Sequence, residues 1–169
     1  IARFYDPNSG AILIDDQDLR DVSIESLHNQ LGVVPQEPFL FHGSIKENVK
    51  FSRPDATDDE ILAACQAVGI QDMVDRLPQG LDTPCHERGA SLSSGERQLL
   101  ALARAFLSRS SVLILDDATS NVDQQSESKI EHALDSLLEG RTAIIIAHRL
   151  ATAMRADVIA VVKDQGIIE

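Results

Sequence analysis

Two adjacent carboxylates, Asp116 and Asp117, directly follow a short apolar run at residues 112–115. A continuous apolar run of this length is typical of a parallel strand that is covered on both faces. In open parallel sheets, ligands bind beyond the carboxyl ends of the strands. Asp116 could therefore hold the Mg²⁺ of a Mg-nucleotide, directly or through water. In the alternative interpretation, the two acids only end the strand and begin the turn that follows.

A second polar group, Ser93 with Glu96, stands at the start of a predicted helix. A serine followed three residues later by glutamate matches the capping box, in which each side chain satisfies a backbone donor of the other residue. The start of a helix also offers unpaired N–H groups and a positive dipole end to a phosphate. Both interpretations can be true at the same time: Ser93 can cap the helix, and the start of the helix can bind a phosphate.

Two further polar residues follow apolar runs. His148 comes after residues 142–147, and Gln36 comes shortly after residues 31–34, between two prolines. A single histidine at the end of a strand is more often structural than catalytic, and a glutamine between prolines is an ordinary loop residue. Neither residue type indicates chemistry by itself, so order and spacing must decide.

The elements that position these residues alternate between strands and helices. Apolar runs predict strands at 11–15, 31–34, 112–115, 142–147 and 158–162. From about residue 36 to residue 108 the pattern is helical, with capping boxes that begin at Ser44 and Thr57 and with Gly69 placed to end the second of these helices. The pattern predicts an α/β core that is interrupted by a helical insert.

The order of these segments resembles that of the nucleotide-binding domains of ABC ATPases. Residues 90–98, ASLSSGERQ, are similar to the signature motif (the signature segment), and residues 111–117 are similar to the Walker B strand. Glu87, Arg88 and Gly89 resemble a short motif typical of exporter-type domains. The resemblance implies an α/β P-loop NTPase (RecA-like) fold, with a parallel-sheet core at 1–36 and 109–169 and an inserted helical signature subdomain at 37–108.

The same resemblance implies ATP and Mg²⁺ as cofactors and assigns roles to the polar residues. Gln36 would touch the metal and link the site to a transmembrane partner, Asp116 would hold the metal, and His148 would contact the γ-phosphate. Ser93, Ser94, Gly95 and Glu96 would contact the γ-phosphate of an ATP held by the opposite subunit. Ser120 and Asp123 would belong to the loop that crosses the dimer interface.

Two positions depart from the family pattern. Asp117 stands where the family has a glutamate that positions the attacking water, and its side chain is one methylene shorter. A base must reach its proton within a hydrogen bond, so part of the roughly 10² to 10⁴-fold that such a group contributes should be lost. Ser94 and Glu96 replace a glycine and a glutamine, which should weaken the phosphate contact through crowding and like-charge repulsion. We expect slow or absent turnover.

No lysine of the chain lies in the Gly-x-x-x-x-Gly-Lys-Ser/Thr pattern of a phosphate-binding loop. In the family, the segment that resembles residues 3–7 follows that loop, and the domain continues into further helices beyond the point where this sequence ends. We therefore expect a domain that is incomplete at both ends and that binds ATP weakly or not at all by itself.

The composition limits the classes of partner that this chain could bind. A formal net charge of −12 argues against a nucleic-acid binder that works through a basic face. No apolar run reaches the roughly 20 residues that span a bilayer. The resemblance implies a peripheral position on the cytoplasmic side of a membrane, with the transmembrane domain of an ABC exporter and a second nucleotide-binding domain as partners.

Two alternatives remain at this point: a non-transport ABC ATPase of DNA repair or translation, and an inactive vestigial fragment. A further open question concerns residues 39–41, Phe-Leu-Phe, which lie in a predicted loop. Three large apolar groups there indicate either a groove for a partner helix or packing under the helical insert.

Overall fold

Three parallel strands form the central sheet of the computed structural model, which describes residues 1–85, 89, 91–118, 122, 124–164 and 166–168. The strands are β3 (Leu31–Val34), β6 (Val112–Asp116) and β7 (Thr142–Ile146), in the order β3-β6-β7. Both pairings are parallel, with Val34 opposite Leu115 and Asp116 opposite Ile146. All three strands therefore end at one edge of the sheet, which we call the carboxyl edge.

α-Helices precede, connect and follow these strands. They are α1 (Ile24–Gln30), α2 (Ile45–Val49), α3 (Asp58–Ala67), α4 (Gln71–Arg76), α5 (Ser94–Ser108), α6 (Gln124–Leu138) and α7 (Leu150–Ala153). Short antiparallel pairs join β1 (Leu13–Ile14) to β2 (Gln17–Asp18), β4 (Gly43–Ser44) to β5 (Pro84–Cys85), and β8 (Val162–Lys163) to β9 (Gly166–Ile167). The described part contains no helix that is both long and apolar enough to cross a membrane.

Helix α5 lies at the centre of the core. It packs against α6, α3, α2 and β3, and both Leu100 and Leu102 are almost completely buried on it. Helix α6 contributes Ile130, Leu134 and Leu137, which recur at helical spacing and are buried in the same hydrophobic cluster. Full burial of one such side chain contributes about 1.5–3 kcal/mol. This packing fixes α5 against the sheet.

Only one face of the central sheet is covered within the described residues. Leu113 and Leu115 are buried in the core, whereas Val33, Ile144 and Ile146 are exposed on the opposite face. Among the described residues, the apolar run at 142–147 therefore has one partly buried face and one exposed face. The reason is the alternation of side chains along a strand, since α5 and α6 cover only the face that carries the odd-numbered residues of β6.

Two strand predictions were too long. The predicted strand at 11–15 is a tight hairpin, β1 to β2, because Asp15 and Asp16 both have positive φ, as a type I′ turn requires. The predicted strand at 158–162 is wrong over most of its length, since regular pairing begins only at Val162. A strand needs a neighbouring ladder, and in this region the described backbone supplies a single bond, from Ile168 N to Val161 O at 2.9 Å.

The predicted helix starts are confirmed. Ser44 and Thr57 both form complete capping boxes, with Glu47 and Glu60 respectively. Gly69 has φ +72°, a left-handed conformation that favours glycine and lets the chain leave α3. The short-range hydrogen bonds that start these helices depend on adjacent residues alone, and for this reason the sequence indicated them correctly.

Glu60 has a second role beyond its capping box. Its carboxylate forms an ion pair with Arg53 and another with Arg109, whose Nη2 lies 3.2 Å from Oε1. The hydrogen bond from Arg53 and the backbone N–H of Thr57 lower the pKa of this carboxyl to about 2. Because Arg109 follows the last residue of α5, Glu60 joins the start of α3 to the end of α5.

We predict that Glu60→Gln lowers the stability of the fold in a pH-dependent way. A carboxyl with a pKa below its ordinary 4.5 stabilises the fold above that value, and the contribution is lost as the pH falls toward about 2. Glutamine can still fill the capping box, so the change isolates the ion pairs. Thermal unfolding should show a lower Tm for the variant at pH 7 and a difference that shrinks between pH 4 and pH 3.

The matched control is Glu139→Gln, since Glu139 is exposed just beyond the end of α6. Its Tm difference from the unmodified protein should be small at each pH. A Glu60→Gln effect that is equally large at pH 7 and at pH 3 would contradict the role of the ionised carboxylate.

Candidate functional site

The carboxyl edge gathers four of the residues that the sequence singled out. Gln36 lies two residues beyond the end of β3, Asp116 ends β6 and Asp117 follows it, and His148 lies two residues beyond the end of β7. Because β6 is the middle strand, its two carboxylates lie between the residues that follow β3 and β7. The parallel register thus places residues from distant parts of the chain at one edge.

Asp117 is the most enclosed of these residues, with 6% of its surface exposed. Its backbone N–H donates to the carbonyl of Ile146 at 2.9 Å, and its φ of +44° turns the chain away from the strand. Among residues other than glycine, aspartate and asparagine adopt this left-handed conformation most readily. Gln36 Nε2 lies 3.5 Å from Asp117 Oδ2, at the long end of a hydrogen bond. This contact joins β3 to β6 at the edge.

His148 is exposed on the segment that leaves β7, the strand that pairs with β6. The residue that follows it, Arg149, forms an ion pair with Glu127 of α6 and precedes the first turn of α7. The side chain that follows His148 is therefore paired with α6. The imidazole of His148 is therefore accessible at the carboxyl edge, whereas the side chain of Arg149 is held by Glu127.

The signature segment is held at another place, the start of α5. Ser93 is the N-cap: its hydroxyl accepts from the N–H of Glu96 at 3.2 Å, and its own N–H donates to Glu96 Oε2 at 2.8 Å. Ser94 begins the helix and Gly95 is buried within its first turn. The predicted capping box is confirmed, and the backbone N–H groups of this first turn point out of the helix end.

A cleft of about 300 Å³ opens beside this helix start, between α4, α5 and α6. Ser93 and Glu96 line it from α5, Arg76 lines it from α4, and Lys129 lines it from α6. The two cations are far from the signature segment in sequence, so spacing along the chain gave no signal for them. Their charge opposes the carboxylate of Glu96 in a protein whose overall charge is strongly negative.

Several predicted residues lie outside the described residues. These are Ser120 and Asp123 of the proposed interface loop, together with Glu87 and Arg88 of the exporter-like motif. Gly89 of that motif is described and has φ +68°. A Cβ at Gly89 would lie 2.7 Å from Leu40 Cδ1, so the close approach to the buried Leu40 requires glycine.

An exposed aromatic patch lies on the helical side of the molecule. It consists of Phe39, Phe41 and Phe51, which are 52%, 38% and 56% exposed. The ring of Phe41 stacks on that of Phe51 at 4.2 Å between centroids and meets that of Phe39 edge-on at 5.1 Å. Of the two interpretations offered for residues 39–41, packing applies to Leu40, which is fully buried, while Phe39 and Phe41 remain open to a partner.

Asn48 and Arg104 hold this patch from beneath, and no sequence pattern indicated either residue. Asn48 is 2% exposed; its Oδ1 accepts from Phe41 N at 2.8 Å, and its Nδ2 donates to Phe41 O and Ser44 O, both at 3.0 Å. An asparagine on a short amphipathic helix resembles any solvent-facing polar residue, so only the tertiary contact identifies it.

The carboxyl edge offers oxygen donors that suit Mg²⁺, namely the carboxylates of Asp116 and Asp117 and the amide oxygen of Gln36. The described residues contain no group of three or more His, Cys, Asp or Glu side chains that could enclose a metal ion. A Mg²⁺ ion that keeps several waters and binds substrate phosphates needs only one or two protein carboxylates. The donor set fits that kind of ion.

The family model described as "ABC transporter" matches residues 1–120. Over 169 residues the chain is 47% identical to the uncharacterised ABC transporter ATP-binding protein YfiC of Bacillus subtilis, covering all of this chain and 28% of that protein. It is also 47% identical to a putative multidrug export ATP-binding/permease protein of Staphylococcus aureus, covering all of this chain and 29% of that protein. The chain thus spans less than a third of the length of these relatives.

A solved structure gives the same result for the fold. The solved structure of a bacterial Atm1-family ABC exporter with ATP bound matches this chain with a TM-score of 0.91 and 41% identity, covering 99% of this chain and 29% of that one. The fold is the α/β P-loop NTPase fold with its parallel-sheet core, as the resemblance of the sequence motifs predicted.

Substitution of Ser93 tests its role as the N-cap of α5. We predict that Ser93→Ala lowers the free energy of unfolding by about 1 kcal/mol, because the N-cap acceptor is lost, and that Ser93→Gly costs only a few tenths of a kcal/mol. Urea denaturation measures both. Ser44→Ala is the matched control, since Ser44 forms the same capping box on α2 and should show a similar loss. An unchanged free energy of unfolding in Ser93→Ala would contradict the capping role.

Proposed function

Because the chain belongs to the ABC transporter family, whose model matches residues 1–120, we propose that it is part of the ATP-binding and ATP-hydrolysing domain of an exporter-type transporter. The observation that carries this proposal is the contact between Gln36 and Asp117 at the carboxyl edge, with the strand before His148 alongside. ATP-driven association of two such domains would drive export. The names of the relatives, a multidrug export ATP-binding/permease protein among them, support the exporter context.

We propose roles at the carboxyl edge from the chemistry of each side chain. Asp116 and the amide oxygen of Gln36 would hold Mg²⁺, which when bound neutralises charge on the phosphates. Asp117 would accept a hydrogen bond from the attacking water, and its burial excludes competing solvent from that carboxylate. His148 would contact the γ-phosphate from the neighbouring strand end, with Arg149 held by Glu127.

The signature segment would serve the nucleotide of the opposite domain. Ser93, Ser94 and Gly95 would present the N–H groups of the α5 start to the γ-phosphate. Glu96 departs from the family glutamine, and its carboxylate brings a negative charge to the same helix end. Ser120 and Asp123 would belong to the interface loop. The division into a core at 1–36 and 109–169 and a helical subdomain at 37–108 is part of the same proposal.

The site built on β6 is proposed to turn over slowly. The side chain of Asp117 is one methylene shorter than that of the family glutamate, so its carboxylate reaches less far toward an attacking water. The amide of Gln36 also approaches Asp117 Oδ2, an oxygen that a water would otherwise use. Both features support a nucleotide site at which bound ATP is hydrolysed slowly.

We predict that Asp117→Glu raises the ATPase rate of the complete transporter by about tenfold or more, because the longer side chain regains part of the roughly 10² to 10⁴-fold of a well-placed base. The matched control is Asp117→Asn, which keeps the size of the native side chain and removes the carboxylate. It should not gain activity. Phosphate release under saturating Mg-ATP measures both variants, and the absence of a gain in Asp117→Glu would rule out the degenerate-base explanation.

The partner of the aromatic patch is proposed to be a helix from the transmembrane domain. The relatives include proteins named for both an ATP-binding and a permease function, and they are more than three times as long as this chain. The described residues contain no membrane-spanning helix. A set of exposed rings with a buried polar support fits the apolar face of an amphipathic helix. The domain would then lie on the cytoplasmic side of the membrane.

Cross-linking tests this partner. We predict that a photoreactive amino acid at position 39 of the complete protein captures a peptide of the transmembrane domain, because Phe39 is open on the patch. The control position is Phe4, an exposed aromatic residue outside the patch. Mass spectrometry identifies the captured peptides. Capture of nucleic acid or ribosomal protein at position 39 would favour the non-transport ATPase instead, and identical products at positions 39 and 4 would contradict the patch as a docking site.

A further inference from the structure

Arg104 connects the aromatic patch to the helix that begins with the signature segment. It lies on α5, about 15 Å along the helix axis from Ser94, since an α-helix rises 1.5 Å per residue. The patch itself belongs to other parts of the chain, namely the loop before β4 and the turn after α2. A side chain of α5 is thus the point at which these segments meet.

The guanidinium of Arg104 makes three hydrogen bonds to these segments. Nε donates to Asn48 O at 2.9 Å, Nη1 donates to Phe39 O at 3.2 Å, and Nη2 donates to Asn48 Oδ1 at 3.2 Å. A fourth bond runs the other way, because the Ser52 hydroxyl donates to the Arg104 carbonyl at 2.9 Å. Every segment that carries a ring of the patch is therefore fastened to the same residue of α5, directly or through Asn48.

The guanidinium also contacts the rings themselves. Its carbon lies 5.5 Å from the ring centroid of Phe41 and 5.6 Å from that of Phe51, within the range of cation–π attraction. Since these two rings stack on each other, a force on either one reaches the guanidinium. The hydrogen bonds and the ring contacts together leave Arg104 little freedom to move independently of the patch.

Stability alone does not explain an arginine here. Burial lowers the pKa of the Arg104 guanidinium, and none of the ion pairs among the described residues includes it. Apolar residues often replace a buried charge at no cost in stability. What they cannot replace is the planar fork of donors, which fixes the directions of several bonds at once. The geometry favours a role in position over a role in stability.

We infer that Arg104 is a positioning residue that transmits displacement of the aromatic patch to α5, and hence to Ser93 and the rest of the signature segment. This inference rests on the proposed function, in which a helix from the transmembrane domain occupies the patch. When that helix moves, the rings and the backbone of Phe39 move with it, and Arg104 carries the shift to the helix whose first turn faces the opposite nucleotide. Loss of the fork would uncouple the two ends.

The test is a double-variant experiment on the complete transporter in lipid nanodiscs, read by hydrogen exchange of residues 92–100 without nucleotide. Phe51→Ala perturbs the patch, and Arg104→Lys keeps the charge but removes the fork. Phe51→Ala should change the exchange rate at 92–100 about twofold to thirtyfold, the range typical of coupling between sites. In the Arg104→Lys background the same change should have no effect there.

Arg141 provides the matched control. It donates to the carbonyls of Ala105 and Phe106 at 3.3 and 3.4 Å, lies over the ring of Phe106 at 5.7 Å, and also has its pKa lowered by burial. It does not contact the patch, so Phe51→Ala should keep its full effect in the Arg141→Lys background. A purely structural role of Arg104 would instead raise exchange equally in α3, α5 and α6.

Several outcomes would overturn the inference: an unchanged Phe51→Ala effect in Arg104→Lys, an equal loss in Arg141→Lys, or a uniform rise in exchange. If Arg104→Lys does not fold, Arg104→Gln replaces it, and Phe51→Ala alone must still alter 92–100 more than residues 128–138. Because no nucleotide is present, a protein that fails to bind or hydrolyse Mg-ATP counts against the proposed function, whereas the exchange result judges Arg104.

Discussion

The parallel register of β3, β6 and β7 is the constraint on which the site depends. Val34 pairs with Leu115, and Asp116 pairs with Ile146, so the three strands end together. A shift of one residue in β6 would exchange its two faces, expose Leu113 and Leu115, and bury the carboxylate of Asp116 in the core. Burial of Leu113 and Leu115 under the helices therefore also fixes which acid of the Asp116–Asp117 pair faces which side. The placement of the carboxylates at the carboxyl edge is therefore a consequence of how Leu113 and Leu115 pack in the core.

The same dependence explains which features the sequence could predict. Capping boxes at Ser44, Thr57 and Ser93 and the strands at 31–34 and 112–115 involve neighbouring residues or strong apolar runs, and they were predicted correctly. The strand predicted at 158–162 failed because a strand is defined by its neighbour. Arg104 escaped prediction because its partners are more than fifty positions away in the chain. The conformation of Asp117 depends on its bond to Ile146, which no local pattern encodes.

Electrostatics adds a second constraint to the site. With a formal charge of −12, the protein as a whole repels a polyphosphate, and the carboxyl edge adds Asp116 and Asp117 locally. A triphosphate can approach such an edge only with a divalent cation between the two sets of negative charges or with donors from elsewhere. This requirement applies to the signature segment as well, where Arg76 and Lys129 line the cleft beside Glu96 and offset its charge.

In the proposed function, helix α5 meets structural and functional demands with the same residues. Its capping box uses both the hydroxyl of Ser93 and the carboxylate of Glu96. Glutamine at the third helical position can complete the same box, so the start of the helix does not require a negative charge there. The negative charge of this carboxylate interacts favourably with the helix dipole. The same charge repels a phosphate that approaches the N–H groups of the helix start. Because glutamate and glutamine both complete the capping box, the charge at position 96 chiefly determines how strongly this helix end attracts an anion.

A weak attraction at the start of α5 makes the mechanical link through Arg104 more important, since the position of the helix then decides whether its N–H groups reach a phosphate at all.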